Sequence, residues 1–326
     1  MSPILTIENL QTHFFTKTGV LKAVDGVSLD LKAGEVLGLV GESGSGKSIT
    51  GFSVMGLVDA PGRIVGGRIN FKGEEITAMS PEQLQNLRGN RISMIFQDPM
   101  MTLNPVLRIG MQMIETIQTH DSSVGKVKAW QRSRDALGLV GISAPEERMN
   151  AYPHQFSGGM RQRVCIAIAM LNHPDLIIAD EPTTALDVTI QGQVIYEMQR
   201  LCRNTKTALL WITHDLAVVA GLADRICVMY AGRIVEQGPV TATILDPVHP
   251  YTRGLMASIP SQNKRGTPLK QIDGMVPSLL SLPAGCAFQN RCTAVTSQCL
   301  YGRPEAIPTA DGRLVRCFNF DREQAL

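Results

Sequence analysis

The residues with the clearest chemical meaning form one glycine-rich stretch near the start of the chain. It consists of Gly41, Glu42, Ser43, Gly44, Ser45, Gly46, Lys47 and Ser48. The spacing fits G-x-x-x-x-G-K-[ST], the pattern of a P-loop, in which glycines let backbone N–H groups surround an anionic phosphate. Lys47 is expected to reach the outer phosphates of a nucleotide, and the Ser48 hydroxyl to enter the ligand shell of Mg²⁺. The pattern alone leaves kinases, GTPases and ATPases open.

A second pattern places two acids directly after an apolar run. Residues 176–179 are typical of a buried strand, which Asp180 ends and Glu181 follows. A carboxylate at the end of such a strand is suited to bind the Mg²⁺ of a nucleotide, so Asp180 is predicted to be a magnesium ligand. Glu181 is predicted to orient or polarise an attacking water. Two acids at a solvated strand end are the alternative, which the upstream P-loop disfavours.

The strands and helices that position these residues are predicted from apolar periodicity. Ile4–Leu10 and Leu21–Leu31 alternate and predict two antiparallel strands, and Glu35–Val40 predicts a buried strand that leads into the P-loop. Mostly helical periodicity from Leu107 to about Glu147 predicts a helical insertion between two halves of a sheet. The fold class is therefore α/β.

A third pattern is a loop that carries two glycines ahead of a predicted helix over Arg161–Leu171, with Ser157 as its N-cap. From about residue 4 to 240 the chain resembles the ATP-binding-cassette (ABC) family. The resemblance lies in six motifs in a fixed order: the P-loop, Gln97, Ser157-Gly158-Gly159, Asp180-Glu181, Ala185-Leu186-Asp187 and His214. Phe156 and Met160 stand where the family most often has leucine and glutamine. In the family neither of those positions carries the phosphate contact.

This resemblance implies an ABC-type P-loop ATPase core with an antiparallel β subdomain and an inserted helical subdomain. The expected nucleotide-binding domain covers residues 1–245, with the helical insertion at about 98–160. The remainder, 246–326, is expected to be a small C-terminal domain that contains several cysteines.

The resemblance also implies roles for individual residues. Ser157, Gly158 and Gly159 are expected to face the γ-phosphate bound to the P-loop of a second subunit, with Asp187 communicating across that interface. His214 is expected to contact the γ-phosphate and support Glu181. Gln97 is expected to reach the metal and the water, in a loop that abuts a membrane subunit. Phe14 resembles the aromatic residue that stacks on adenine, with Phe15 as a close competitor.

The seven cysteines divide into two groups. Cys165, Cys202 and Cys227 lie in apolar segments and are interpreted as small core residues. The other four fall in the C-terminal region, where a cytosolic setting disfavours disulfides and favours either a metal site or unliganded thiols. They are separated by five, six and seventeen residues, which is unlike the closely spaced pairs of zinc sites: Cys286, Cys292, Cys299 and Cys317.

The C-terminal region resembles that of oligopeptide and dipeptide importer ATPases. The resemblance rests on His249-Pro250-Tyr251-Thr252 and the cysteine-containing tail that follows. Some members of that subfamily carry a 4Fe-4S cluster there, which implies an iron–sulfur cluster held by these four cysteines. It further implies a bacterial importer with a second, similar ATPase subunit as a heterodimer, two membrane permease subunits and an extracytoplasmic substrate-binding protein.

Composition limits the remaining possibilities. A net charge of +2 over 326 residues gives no field that would favour nucleic acid, and no apolar run is long enough to span a bilayer. The N-terminus lacks a signal-peptide pattern, so the chain is expected to be made and kept in the cytosol. The resemblance to importer ATPases implies that it lies at the cytoplasmic face of the inner membrane. Nickel or another small solute remains an alternative cargo. A soluble ABC ATPase and a scaffold centred on its metal domain are less favoured, because neither a second cassette nor a long coiled coil is present and Lys47, Asp180, Glu181 and His214 are intact.

Overall fold

The structure is a computed structural model that describes residues 2–183, 186–259, 263, 266, 268 and 270–320. Contacts group the chain into two compact units. Unit 1 comprises Met1–Ile4, Lys32–Glu35 and Ala78–Trp211, and unit 2 comprises Leu5–Leu31, Val36–Thr77 and Ile212–Leu326.

The strands are β1 (Leu5–Thr16), β2 (Gly19–Leu31), β3 (Val36–Val40), β4 (Gly62–Phe71), β5 (Glu74–Glu75), β6 (Ile92–Ile95), β7 (Leu176–Asp180), β8 (Ala208–Thr213), β9 (Arg225–Tyr230), β10 (Arg233–Pro239), β11 (Ile307–Pro308) and β12 (Leu314–Val315). The helices are α1 (Lys47–Met55), α2 (Pro81–Leu87), α3 (Pro99–Thr102), α4 (Ile109–His120), α5 (Lys126–Leu139), α6 (Pro145–Arg148), α7 (Gly158–Met170), α8 (Val188–Thr205), α9 (Leu216–Leu222), α10 (Val240–Leu245), α11 (Pro250–Ala257) and α12 (Ser297–Tyr301). The chain passes from unit 1 to unit 2 within β8.

An antiparallel sheet in unit 2 has the strand order β2-β1-β4-β5. Leu5 of β1 lies opposite Leu31 of β2 on one side and Phe71 of β4 on the other, and all three side chains are buried. Alternation of apolar and polar residues lets one face of these strands join the core while the other meets solvent. The predicted antiparallel subdomain is confirmed.

The remaining strands of unit 2 follow the order β11-β12-β10-β9-β3. All five residues of β3 are buried, and the strand runs parallel to β9, with Leu39 opposite Cys227. β9 and β10 form an antiparallel hairpin whose turn holds Ala231 and Gly232 at positive φ. Burial on both faces explains why β3 is a continuous apolar run.

Unit 1 contains the parallel pair β6 and β7, with Ile95 opposite Ala179. Its helices α4, α5 and α6 confirm the helical periodicity predicted from Leu107 to about Glu147. Among the described residues, no helix is both long and apolar enough to cross a lipid bilayer.

The C-terminal region is made of short elements. A small buried cluster of Val315, Cys317 and Phe320 packs against Val248 and Ile307. β12 pairs with β10, so Val315 lies opposite Glu236 and part of the tail extends the strands of unit 2. The boundary at residue 245 and the bounds 98–160 of the insertion remain predictions.

Candidate nucleotide-binding and catalytic site

The P-loop of unit 2 connects β3 to α1 and is held in its conformation by glycine. Gly46 is the N-cap of α1 with φ 102°, and a Cβ at this position would lie 2.2 Å from the carbonyl oxygen of Ala23. Only glycine fits such a position, because a side chain would meet both backbone strain and a backbone atom. The N–H groups of the first turn of α1 therefore remain directed at the loop, which favours an anion there.

The Lys47 side chain folds back onto the P-loop. Its Nζ donates hydrogen bonds to the carbonyl oxygens of Gly41 (2.8 Å) and Glu42 (3.0 Å), and the residue is buried. Ser48 follows in the first turn of α1, and Ser45 is buried with its Oγ lacking a hydrogen-bond partner in the described part of the chain. A cation and the buried Ser45 hydroxyl, around a turn rich in N–H donors, suit a phosphate.

In unit 1 the two parallel strands β6 and β7 bring two predicted catalytic residues together. Gln97 follows the end of β6, and Glu181 follows Asp180 at the end of β7. The Gln97 Nε2 donates to the Glu181 Oε2 at 3.2 Å. Asp180 is buried, whereas Glu181 is half-buried. Glu181 also has φ 46°, an unusual backbone conformation for a residue with a side chain. This turn directs the two consecutive acids differently, as separate roles require.

Two helices of unit 1 begin at residues predicted to face a second subunit. Ser157 is the N-cap of α7, and its Oγ accepts a hydrogen bond from the Met160 N–H at 3.3 Å. Asp187 is the N-cap of α8, and its carboxylate accepts from the Ile190 N–H at 3.0 Å. Ser157 and Asp187 are exposed, so both helix N-termini are accessible to a ligand or partner. Ala185, in the same motif as Asp187, lies outside the described residues.

His214 and Phe14 belong to unit 2. His214 is exposed directly after β8, between the strand and Asp215, which caps α9 by accepting from the Ala217 N–H at 2.8 Å. Phe14 lies in β1 opposite Gly62, where a Cβ would lie 2.5 Å from the ring of Phe14. Phe15 is more exposed, with the Arg63 guanidinium 4.3 Å from its ring centroid. The choice between the two rings for adenine remains a prediction.

Comparison with known proteins places these motifs in one family. A family profile described as "ABC transporter" matches residues 24–184, and one described as "Oligopeptide/dipeptide transporter, C-terminal region" matches residues 235–299. The oligopeptide transport ATP-binding protein AppD of Bacillus subtilis is 48% identical over 326 residues, covering 100% of this chain and 99% of its own. OppD of Escherichia coli is 47% identical, covering 97% of this chain and 93% of its own.

The chain belongs to the ABC transporter family.

The fold of this ABC protein agrees with a solved relative. The dimeric, post-hydrolysis structure of the ATP-binding cassette MJ0796, bound to ADP and Pi, matches with a TM-score of 0.66 and 25% identity. It covers 72% of this chain and 98% of that one. The predicted ABC-type core is therefore confirmed, and the protein is an ABC-type ATPase.

The cysteine predictions had two different outcomes in this ABC protein. Cys165, Cys202 and Cys227 are buried core residues, as predicted, and burial raises the pKa of Cys165 and of Cys202 to about 12. Among the described residues, no three or more His, Cys, Asp or Glu side chains form a group that could hold a metal ion.

The predicted iron–sulfur cluster on Cys286, Cys292, Cys299 and Cys317 is therefore wrong, and with it the prediction that this region binds a metal. Burial raises the pKa of the Cys286 and Cys292 thiols, and that of Cys317 to about 11, with the neighbouring cysteines adding to the rise at Cys317. Raised pKa values favour the thiol over the metal-binding thiolate. The four cysteines are close together in the sequence, but among the described residues their side chains do not form a group that could bind a metal ion.

Two residues that were not predicted as site residues contact the P-loop of this ABC protein. The Arg291 guanidinium pairs with the Glu42 carboxylate, and the Tyr251 hydroxyl accepts a hydrogen bond from the Glu42 N–H. Both lie more than 200 positions away, with separations of 249 and 209. Tyr251 was noted only as part of a family motif, and no local pattern marks Arg291.

Proposed function

We propose that this chain is the ATP-hydrolysing subunit of a bacterial importer for dipeptides or oligopeptides. The observation that carries the proposal is the 48% identity to an oligopeptide transport ATP-binding protein over the whole of this chain. The match of residues 235–299 to the C-terminal region of oligopeptide and dipeptide transporters supports it, since that region is distinct from the ATPase core.

We assign the phosphates of ATP to the P-loop, from Gly41 to Ser48, with Lys47 as the principal cation. Adenine is assigned to Phe14. The hydroxyl of Ser48, the amide oxygen of Gln97 and the carboxylate of Asp180 are hard oxygen donors, the type that Mg²⁺ prefers, so this donor set fits the metal. When bound, Mg²⁺ neutralises charge that develops on the phosphates.

Glu181 is assigned as the residue that orients the water attacking the γ-phosphate. Its 3.2 Å hydrogen bond from Gln97 supports this, because a fixed amide donor holds the carboxylate in one orientation. Attack forms a bond from the water oxygen to the γ-phosphorus and breaks the bond from that phosphorus to the bridging oxygen, which leaves with ADP. The attacking water loses a proton to solvent, and inorganic phosphate is the second product. His214 is assigned to the γ-phosphate and to the support of Glu181, as the resemblance to the ABC family implies.

The Ser157 loop is proposed to complete the site of a second cassette. Ser157, Gly158 and Gly159 stand exposed or half-buried at the start of α7, so their N–H groups are accessible to a phosphate. Asp187 is proposed to signal across the same interface. ATP bound between two cassettes would then join them head to tail, and hydrolysis would release them.

The proposed assembly contains a second, similar ATPase as a heterodimer, two membrane permeases and an extracytoplasmic substrate-binding protein. The chain is placed at the cytoplasmic face of the inner membrane in this assembly. Residues 1–245 are proposed to form its nucleotide-binding domain and 246–326 its C-terminal domain.

The cargo is tested by transport in proteoliposomes that contain the full complex. Uptake of a labelled dipeptide or pentapeptide, driven by ATP and the binding protein, is expected, with none in the Lys47→Ala complex. Uptake of Ni²⁺ in place of peptides would contradict the peptide assignment. Cross-linking of Ser157→Cys to a cysteine near the partner's P-loop tests the dimer, and its failure with ATP present in an active complex would contradict the head-to-tail arrangement.

A further inference from the structure

Glu42, the second residue of the P-loop, is held through all three of its polar groups. Its carboxylate pairs with Arg291, and its N–H donates to the Tyr251 Oη at 2.9 Å. Its carbonyl oxygen accepts from the Lys47 Nζ at 3.0 Å. The P-loop pattern leaves the identity of this position open, so the phosphate contact does not require a glutamate here. These contacts therefore need a different explanation.

Arg291 meets Glu42 in a bidentate geometry. Its Nη1 lies 2.7 Å from Oε2 and its Nη2 3.0 Å from Oε1. The Nε donates to the Asp273 carbonyl oxygen at 3.0 Å, and the Arg291 side chain is only 4% exposed against 30% for Glu42. Paired charges with two parallel hydrogen bonds are stronger and more directional than a single surface contact. Arg291 is thus held in position by a contact outside the P-loop as well as by Glu42.

Tyr251 is fixed by a buried aromatic cluster. Its ring centroid lies 4.6 Å from that of Tyr230 and 5.4 Å from that of Phe288, which in turn lies edge-on to Tyr230 at 5.2 Å. All three rings are buried. Burial raises the pKa of Tyr251, so the hydroxyl stays neutral and is available to accept from the Glu42 N–H. A rigid ring gives the hydroxyl one position.

Two other arginines of the C-terminal region also pair with acids of unit 2, and they provide a comparison. Arg303 pairs with Asp25 at 3.3 Å, and Arg313 pairs with Glu236 at 3.3 Å. Neither acid belongs to the P-loop. A role limited to attaching the C-terminal region would be served by these pairs equally well. Arg291 differs because its carboxylate partner sits one peptide bond from Gly41 and accepts from Lys47 through its own carbonyl.

We propose that Arg291 and Tyr251 are positioning residues of the nucleotide site, which hold Glu42 so that the P-loop stays in its phosphate-binding conformation. The C-terminal region thereby sets the affinity of the site for nucleotide. Glu42 is the shared element, since it is bonded to Arg291, to Tyr251 and to Lys47. This inference rests on the assignment of ATP to the P-loop, so its test must separate the two.

The experiment measures the Kd of the full-length chain for Mg²⁺ with a non-hydrolysable ATP analogue, by calorimetry. Arg291→Gln and Glu42→Gln are each expected to raise Kd roughly tenfold, the scale of one charge-assisted pair. The double variant is expected to match either single variant, because both remove the same pair. Tyr251→Phe is expected to raise Kd by a smaller factor. Arg303→Gln, the matched control, is expected to stay within about twofold.

The Lys47→Ala variant distinguishes a failure of the ATP assignment from a failure of the positioning role. If it leaves Kd unchanged, the assignment of ATP to the P-loop fails. If it raises Kd while Arg291→Gln and Glu42→Gln remain at the wild-type value, the positioning role is overturned. Effects of the two single variants that multiply in the double variant would overturn it too, because they would then act independently. Should Arg291→Gln fold poorly by its melting curve, Glu42→Gln decides alone, since its carboxylate is partly exposed.

Discussion

Arg313→Met is expected to destabilise the protein because it leaves a buried carboxylate without its cation. Glu236 of β10 has no exposed surface, and the Arg313 side chain is 5% exposed. The Glu236 carboxylate accepts from Arg313 Nη1 at 3.3 Å and from the N–H groups of Val248 at 3.0 Å and His249 at 2.9 Å. Arg313 also pairs with Asp311 at 2.8 Å. Methionine preserves the side-chain volume but none of these contacts.

The size of the expected loss in unfolding free energy follows from the burial of Glu236 and Arg313. Removing one partner of a buried ion pair costs about 3–5 kcal/mol, since the remaining charge stays desolvated. The two backbone N–H donors still solvate Glu236, which places the expected loss near the lower end, about 3 kcal/mol. By contrast, Arg303→Met removes a pair whose arginine is 36% exposed and whose acid, Asp25, keeps Arg233 at 2.8 Å. That control is expected to cost less than about 1 kcal/mol.

The assay is urea denaturation of the full chain, with the shift in midpoint multiplied by the slope of the transition. Glu236→Gln in the Arg313→Met background removes the buried charge and is expected to recover about half of the loss or more. A loss below about 1 kcal/mol for Arg313→Met, or strict additivity in the double variant, would refute the reasoning.

Three further predictions concern pH, packing and a helix cap. Burial lowers the pKa of His249 to about 3 from 6.5. Below pH 6.5 the unfolded chain therefore binds a proton that the folded chain does not, and stability that is complete above pH 6.5 falls toward pH 3. At pH 5 the loss is about 2 kcal/mol. His249 is the N-cap of α11, and its Nδ1 accepts from the Tyr251 N–H at 3.0 Å. His249→Asn keeps a capping side chain and should remove this part of the pH dependence of urea unfolding. Gly38→Ala should cost about 1–3 kcal/mol, since its Cβ would lie 2.5 Å from Val219 Cγ1, and Val219→Ala should rescue it; equal melting temperatures for Gly38→Ala and wild type would contradict this. Ser157→Ala should cost about 0.5–2 kcal/mol through the lost cap of α7, and an unchanged unfolding midpoint would show that the 3.3 Å bond contributes nothing.

The parts of the fold that the sequence predicted correctly depend on local rules. β3 was predicted because both of its faces are buried, so every residue is apolar or glycine. Ser157 was predicted as an N-cap because its hydroxyl satisfies an N–H of the first turn of α7. The two short helices α3 and α6 begin with proline, which is favoured in the first turn and was hard to distinguish from a loop.

Other parts depend on partners that are distant along the chain. β1 extends beyond the predicted Leu10 to Thr16, because Phe14 pairs with Leu21 and with Gly62 although its own pattern is not alternating. β12 has two residues and exists through its pairing with β10. The Gln97–Glu181 contact follows from the parallel pairing of β6 and β7, while the Arg291–Glu42 pair has no sequence signal at all.

The cysteine prediction shows the limit of spacing as a guide to ligands. Four cysteines close together in the sequence match the number of ligands that an iron–sulfur cluster needs. A metal site also requires that the sulfur atoms converge on one point and ionise. Here Cys292 accepts from the Ala294 N–H at 3.4 Å, and the Thr296 hydroxyl lies 3.4 Å from the Cys299 sulfur. These local contacts use the thiols as small polar residues of the C-terminal region.

Glu181→Gln separates nucleotide binding from hydrolysis. The substitution keeps the size of the side chain, and its amide oxygen can still accept from Gln97, but it removes the carboxylate that orients water. In the assembled transporter, ATP should bind with near wild-type affinity while turnover falls by at least about a hundredfold. Turnover close to that of the wild-type transporter would contradict the assignment of Glu181 and, with it, this account of how the chain hydrolyses ATP.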